Sequence, residues 1–170
     1  QTLPGQAINL AILAVVAKCV GAGAYDQARY YTKLLMRWIY AMIAVVSMVF
    51  IIGIPFFVQW FHLSEEAARI TIQIVRYHGV CAMVIWPISF SLPNTLRAAN
   101  DVRFTMIVAI ISMGVCRVGM SYVLGSGLHM GVFGVCVAMT MDWTIRVIIF
   151  MIRYLGKKWT TLYHAEVRTE

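Results

Sequence analysis

Carboxylates and polar stretches are what this sequence has least of. Only 7 of its 170 residues are Asp or Glu, charged side chains make up 12%, and no ionisable acid or base occurs between Trp38 and Phe61. Soluble domains carry roughly 25% charged residues, so water is excluded as the solvent for most of the chain. Metal and redox signatures are missing too. Cys19, Cys81, Cys116 and Cys136 fall in or beside different apolar stretches, with no CxxC pair and no histidine at ligand spacing, and read as small packing residues. The absence of HExxH, of GxSxG and of paired aspartates leaves an intramembrane hydrolase without nucleophile, base or metal set, so no catalytic residues, metal or cofactor are expected. There is no internal repeat at the length of two or three helices and no low-complexity segment. A basic n-region with a small-residue cleavage site is lacking as well. The chain starts at Gln1, directly at an apolar stretch, and reads as part of a longer protein.

What is there is hydrocarbon. Hydrophobic side chains make up 61% of the residues, and mean hydropathy is +0.79. A bilayer core of roughly 30 Å takes about 20 apolar residues of helix to cross. Five stretches satisfy that, at 3–20, 37–60, 70–92, 104–124 and 131–152. The predicted fold class is therefore an all-α integral membrane protein, a polytopic bundle over 1–155, followed by a tail at 156–170.

The net charge of +7 is distributed by connection, which argues against a nucleic-acid face. Lys18, Arg29, Lys33 and Arg37 surround the first connection and Arg97 and Arg103 the third, while Arg153, Lys157, Lys158 and Arg168 follow the last span. Those alternate connections share one side of the membrane. The other side holds His62, Glu65, Glu66 and Arg69, with Arg76 just inside the next helix, and then a loop at 125–130 without Lys or Arg. By the positive-inside rule the C-terminus and tail are cytoplasmic, in the multi-pass topology of a plasma or inner cell membrane.

Local signals refine the helices. Glycines after the first span suit a left-handed cap, and Asp26 is placed to N-cap the second helix. Ser64 is positioned to cap the third, with Glu65 and Glu66 complementing its positive end. Pro87 and Pro93 each remove a backbone donor from the inner half of that helix and predict a bend, and broken membrane helices tend to line cavities.

Three segments together resemble the multidrug and toxic compound extrusion (MATE) family, specifically its C-terminal lobe. They are 4–26 (PGQAINLAILAVVAKCVGAGAYD), 92–104 (LPNTLRAANDVRF, with LRAAND in place of an LRGAGD-like turn) and 131–153 (GVFGVCVAMTMDWTIRVIIFMIR). The resemblance implies a twelve-helix transporter of two lobes, with this chain as the eighth to twelfth helices and an N-lobe and a seventh helix as its missing partners. It also implies a secondary-active antiporter that exports small organic, often cationic, compounds in exchange for Na⁺ or H⁺. A lipid-linked saccharide flippase or polysaccharide exporter of the same superfamily is the alternative, for which more basic cavity-lining residues would be expected. Some relatives carry a coupling carboxylate before the LRGAGD-like turn; aligning that turn puts Trp86 there.

Several side chains are candidates for a site. Charge inside the membrane costs about 2.5–3.5 kcal/mol near a helix centre, which singles out Arg117, Asp142 and Arg146. Asp142 and Arg146 are spaced i,i+4, and antiparallel neighbours bring Arg117 to a similar depth, so a structural ion-pair cluster competes with a proton or substrate role. His78 is read as a packing histidine or a proton relay. Gln6 and Asn9 share a helix face and either bond between helices or line an export pathway. Met83, Trp86 and Phe90 form a soft aromatic stripe beside Ser89 and Asn94, suited to packing or to the face of a flat organic cation. A membrane scaffold without transport would leave these polar faces and prolines with little purpose.

Overall fold

A computed structural model describes residues 1–61, 64–127, 129–156 and 159. The described residues are helical, in the order α1 (Leu3–Gly21), α2 (Tyr25–Trp60), α3 (Glu65–Val84), α4 (Trp86–Ala98), α5 (Val102–Ser112), α6 (Met120–Tyr122) and α7 (Gly131–Leu155). π-helical turns at Met113–Gly119 and Val123–Gly127 join α5, α6 and the approach to α7. Four helical runs are long and apolar enough to cross a bilayer, and the bent pair α3–α4 makes a fifth. The protein is an all-α, polytopic membrane bundle.

α1, α2 and α7 each face inward along one stripe, whereas α4 is buried on most of its sides. In α1 the buried positions are Gly5, Asn9, Ile12, Val16 and Val20, steps of three or four that keep one side turned to its neighbours. The remaining faces are also apolar, with Leu10 and Leu13 exposed, as expected of a helix with lipid on its outer side. α1 packs on α2 and α4, α2 on α3, and α4 and the π-helical turns on α7. Lipid is as apolar as Leu, so close packing and small residues, not burial from water, decide these contacts.

The second span differs from its sequence-level outline. α2 is 36 residues long, roughly 54 Å at 1.5 Å per residue, well beyond the roughly 30 Å of hydrocarbon. The helix therefore runs on beyond the predicted span at its N-terminal side, and there Ala28 and Thr32 are buried against the bundle. Gly23, at φ +70°, supplies the left-handed residue after α1. Asp26, expected as the N-cap of α2, lies inside its first turn instead; Ala24 is the cap residue and offers no side-chain bond. Ser64 does cap α3, accepting from Ala67 N at 3.4 Å, with Glu65 and Glu66 in the first turn.

The expected bend is present, and only one of the two prolines sits at it. The chain turns by 41° between α3 and α4. The break falls at Ile85, two residues before Pro87, whose ring crowds the preceding turn. Pro93 lies within α4, which continues through it. The π-helical turns in the fourth span were not foreseen. There Ser121 Oγ donates to the Arg117 carbonyl, taking an acceptor of the helical ladder, and Gly114 and Gly119 lie in the widened segment.

At the basic end of the bundle, Asn100 adopts φ +66° and Asp101 N returns to Leu96 O at 3.0 Å. Arg153 on α7 grips Asp101 with two bonds, of 2.7 and 3.2 Å, tying the α4–α5 turn to the last helix. Trp159 stacks on Tyr154 and lies under Arg29, whose guanidinium carbon is 5.6 Å from the ring centre, so Tyr154 at the end of α7 and Arg29 in the first turns of α2 share one ring. The proposed tail at 156–170 otherwise lies outside the described residues, as do Lys157, Lys158, Arg168 and His62.

Candidate functional site

Two charges sit in the interior of the bundle. Asp142 is 0% exposed and Arg146 7%. They lie one turn apart on α7, and Arg146 Nε approaches Asp142 Oδ1 at 3.0 Å. A third group completes the arrangement from α5. Ser112 Oγ donates to Asp142 Oδ1 and accepts from Arg146 Nε at 3.1 Å, while Arg146 Nη2 donates to Ala109 O at 3.1 Å. The guanidinium is thus held by a carboxylate, a hydroxyl and a backbone carbonyl, which is how a charge is tolerated in low dielectric. Asp142 Oδ2 has no hydrogen-bond partner among the described residues.

Arg117 does not join this cluster. Depth along the span predicts a place opposite Asp142, but Arg117 Nη2 points to Met139 Sδ, at 3.0 Å, on the α7 turn before Asp142. The widened backbone between Met113 and Gly119 re-aims residues beyond α5, so depth counted along a regular helix misplaces the side chain.

Next to the charge pair runs a row of aromatic rings. Arg146 Cζ is 5.7 Å from the Phe90 ring centre. Phe90 stacks on Trp86 at 5.4 Å and meets Trp143 edge-on at 5.7 Å; Trp143 in turn meets His78 at 5.3 Å. The row spans α3, α4 and α7 and begins at the break between α3 and α4. At that break Trp86, only 3% exposed, lies on Gly5 of α1. A Cβ at Gly5 would come within 2.5 Å of the ring, so this glycine is what lets α1 seat against α4.

The other sequence candidates are distributed around this row. Asn94 Nδ2 donates to Phe90 O at 3.1 Å, and Asn94 Oδ1 accepts from Arg97 at 3.5 Å. Ser89 is buried, with Oγ lacking a protein partner. Met83 is half-buried. Asn9 is buried and Gln6 exposed, joined at 3.5 Å from Asn9 Nδ2 to Gln6 Oε1, and Asn9 Oδ1 has no protein partner. The structure therefore brings His78, Trp86, Phe90 and Arg146 into one connected group and leaves Arg117 and the Gln6–Asn9 pair outside it.

Sequence reasoning missed Ser112 and Trp143. Serine inside a span is common, and nothing local marks Ser112 as facing Asp142. Trp143 adjoins Asp142 in sequence, a proximity that goes unremarked until α4 is known to lie across from α7.

Chemically the group contains no nucleophile activated by a base, and no cluster of three or more His, Cys, Asp or Glu able to hold a metal occurs among the described residues. It offers a buried charge pair, packed aromatic rings and buried polar atoms beside a bent span. No solved structure matches the chain. A family model, MatE, matches residues 2–123, which takes in the α3–α4 break and Ser112 and ends before α7. That match covers most of the chain, which belongs to the MatE family of membrane transporters.

Proposed function

We propose that the chain supplies one wall of the pathway of a secondary-active antiporter, exporting small organic, often cationic, compounds in exchange for Na⁺ or H⁺. The observation that carries this reading is the 41° break between α3 and α4 with the Trp86–Phe90–Trp143 row beside it. Interrupted helices put irregular backbone in a membrane only where protein or a cavity covers it, and aromatic faces attract organic cations. Gly5 of α1 covers Trp86, whereas Phe90 and His78 are only half-buried and lie open to a partner bundle that moves against this one. The N-lobe and the seventh helix are the partners this reading demands, with the basic ends of the helices on the cytoplasmic side of the cell membrane.

The test uses proteoliposomes with an imposed Na⁺ or H⁺ gradient and a fluorescent organic cation. The chain joined to its partner lobe moves the dye in a gradient-dependent way, Trp86→Ala and Phe90→Ala weaken that movement, and the chain alone moves nothing. Gradient-driven transport by the chain alone overturns the half-transporter reading. Movement of a lipid-linked saccharide without movement of the cation replaces the antiporter with a flippase.

A further inference from the structure

A groove of about 260 Å³ opens where the N-terminal turns of α2 meet α4 and α7. Lys33 and Arg37 line its mouth, and Met36, Ile88, Leu92 and Met151 are among the residues of its apolar walls. The two basic residues are one helical turn apart, on the same side of α2, and both are exposed. Neither belongs to an ion pair among the described residues, in contrast to Arg146 and Arg153. Their level is fixed by the sequence: the stretch free of ionisable acid or base begins at Trp38, itself 59% exposed, so Arg37 and Lys33 lie at the height of the lipid head groups. Ile88 and Leu92 stand two residues either side of Phe90, about 200° around α4, so the groove faces away from the aromatic row.

We propose that this groove binds one anionic phospholipid. The phosphate sits on Lys33 and Arg37, with the guanidinium offering two parallel donors, and an acyl chain lies along Met36, Ile88, Leu92 and Met151. Charge complementarity selects the head group: the same end of the bundle carries Lys18, Arg29, Arg97 and Arg103 against two described carboxylates, Asp101, which Arg153 holds, and the exposed Asp26 in the first turn of α2. The apolar walls select a lipid over free phosphate, because they lie within the membrane and need hydrocarbon against them.

Native mass spectrometry of the detergent-purified chain, offered equal phosphatidylglycerol and phosphatidylcholine, tests this. The expected preference for phosphatidylglycerol is about 25-fold, from roughly fivefold for each basic side chain near an anionic surface. Lys33→Gln with Arg37→Gln brings the two lipids to parity, whereas Lys18→Gln with Arg103→Gln, an equal loss of charge at the same end, leaves the preference in place. Ile88→Trp fills the groove and lowers lipid retention with both charges intact. Circular dichroism and gel filtration check that each variant is folded, and added salt abolishes the preference of the unaltered chain without any substitution. Parity in the unaltered chain, equal damage from both double variants, or displacement of the lipid by inorganic phosphate would each overturn the proposal.

Discussion

Asp142 concentrates the physics of this protein in one side chain. It is wholly buried and receives Arg146 and Ser112 on one oxygen. Removing one partner of such a pair leaves the other charge uncompensated, at a cost of about 3–5 kcal/mol. Asp142→Asn is therefore expected to reduce the folded yield from membranes, measured by fluorescence-detected gel filtration. Replacing both partners, Asp142→Leu with Arg146→Met, should recover part of that loss. In the complete transporter the pH dependence of transport by the surviving Asp142→Asn protein should be unchanged; a well-folded variant that has lost coupling would show Asp142 carrying the ion instead. Asn100 gives a second test at this scale. It holds φ +66° where an LRGAGD-like turn has its second glycine, and Asn is the residue that best tolerates that region after Gly. Asn100→Gly should be neutral within about 0.5 kcal/mol, and Asn100→Val should cost about 1–3 kcal/mol of thermal stability in detergent.

Among the elements, α7 and the end of the fourth span bring backbone against backbone at Gly134. A Cβ on Gly134 would lie 2.8 Å from the carbonyl carbon and oxygen of Leu124 and 3.0 Å from Gly125 N, none of which can rotate away. Gly134→Ala should therefore push the helices apart and cost about 1–3 kcal/mol by differential scanning fluorimetry. Gly114, in the widened π-helical segment, has open space around it, and Gly114→Ala should stay within about 0.5 kcal/mol. Equal effects would mean that helix propensity, not the approach of backbones, governs both glycines. The existence of both helices was legible from hydrophobicity alone. Their contact was not, because a glycine in an apolar stretch looks the same whether it faces lipid or another backbone.

For the whole molecule, the strongest statement concerns sidedness. The helix order places Lys18, Arg29, Lys33, Arg37, Arg97, Arg103 and Arg153 at one end of the bundle and Glu65, Glu66 and Arg69 at the other. A cysteine at Ser126 should react with an impermeant maleimide from outside intact cells, and one at Gly156 only after permeabilisation. The reverse pattern would invert the topology, and with it the assignment to a C-terminal lobe. The five spans and their alternating ends were readable from the sequence, since crossing length and charge asymmetry are one-dimensional quantities. The length of α2 was not, because its first turns carry the polar composition of a connection while remaining helical.

The sequence by itself determined that this chain lives in a bilayer, that it has five apolar stretches of crossing length, that one end is basic, and that Asp142 and Arg146 lie within reach on α7. Those properties follow from the solvent and from the 3.6-residue period of a single helix. Only the tertiary structure decided which groups meet across helices. The rotation of α5 turned Ser112 toward Asp142, the widened backbone sent Arg117 to Met139, and Gly5 let α1 close over Trp86. With lipid as apolar as the helices themselves, hydrophobicity does not select among rotations of a span. Close packing and the need to satisfy buried polar atoms do, and both depend on neighbours that no local pattern names.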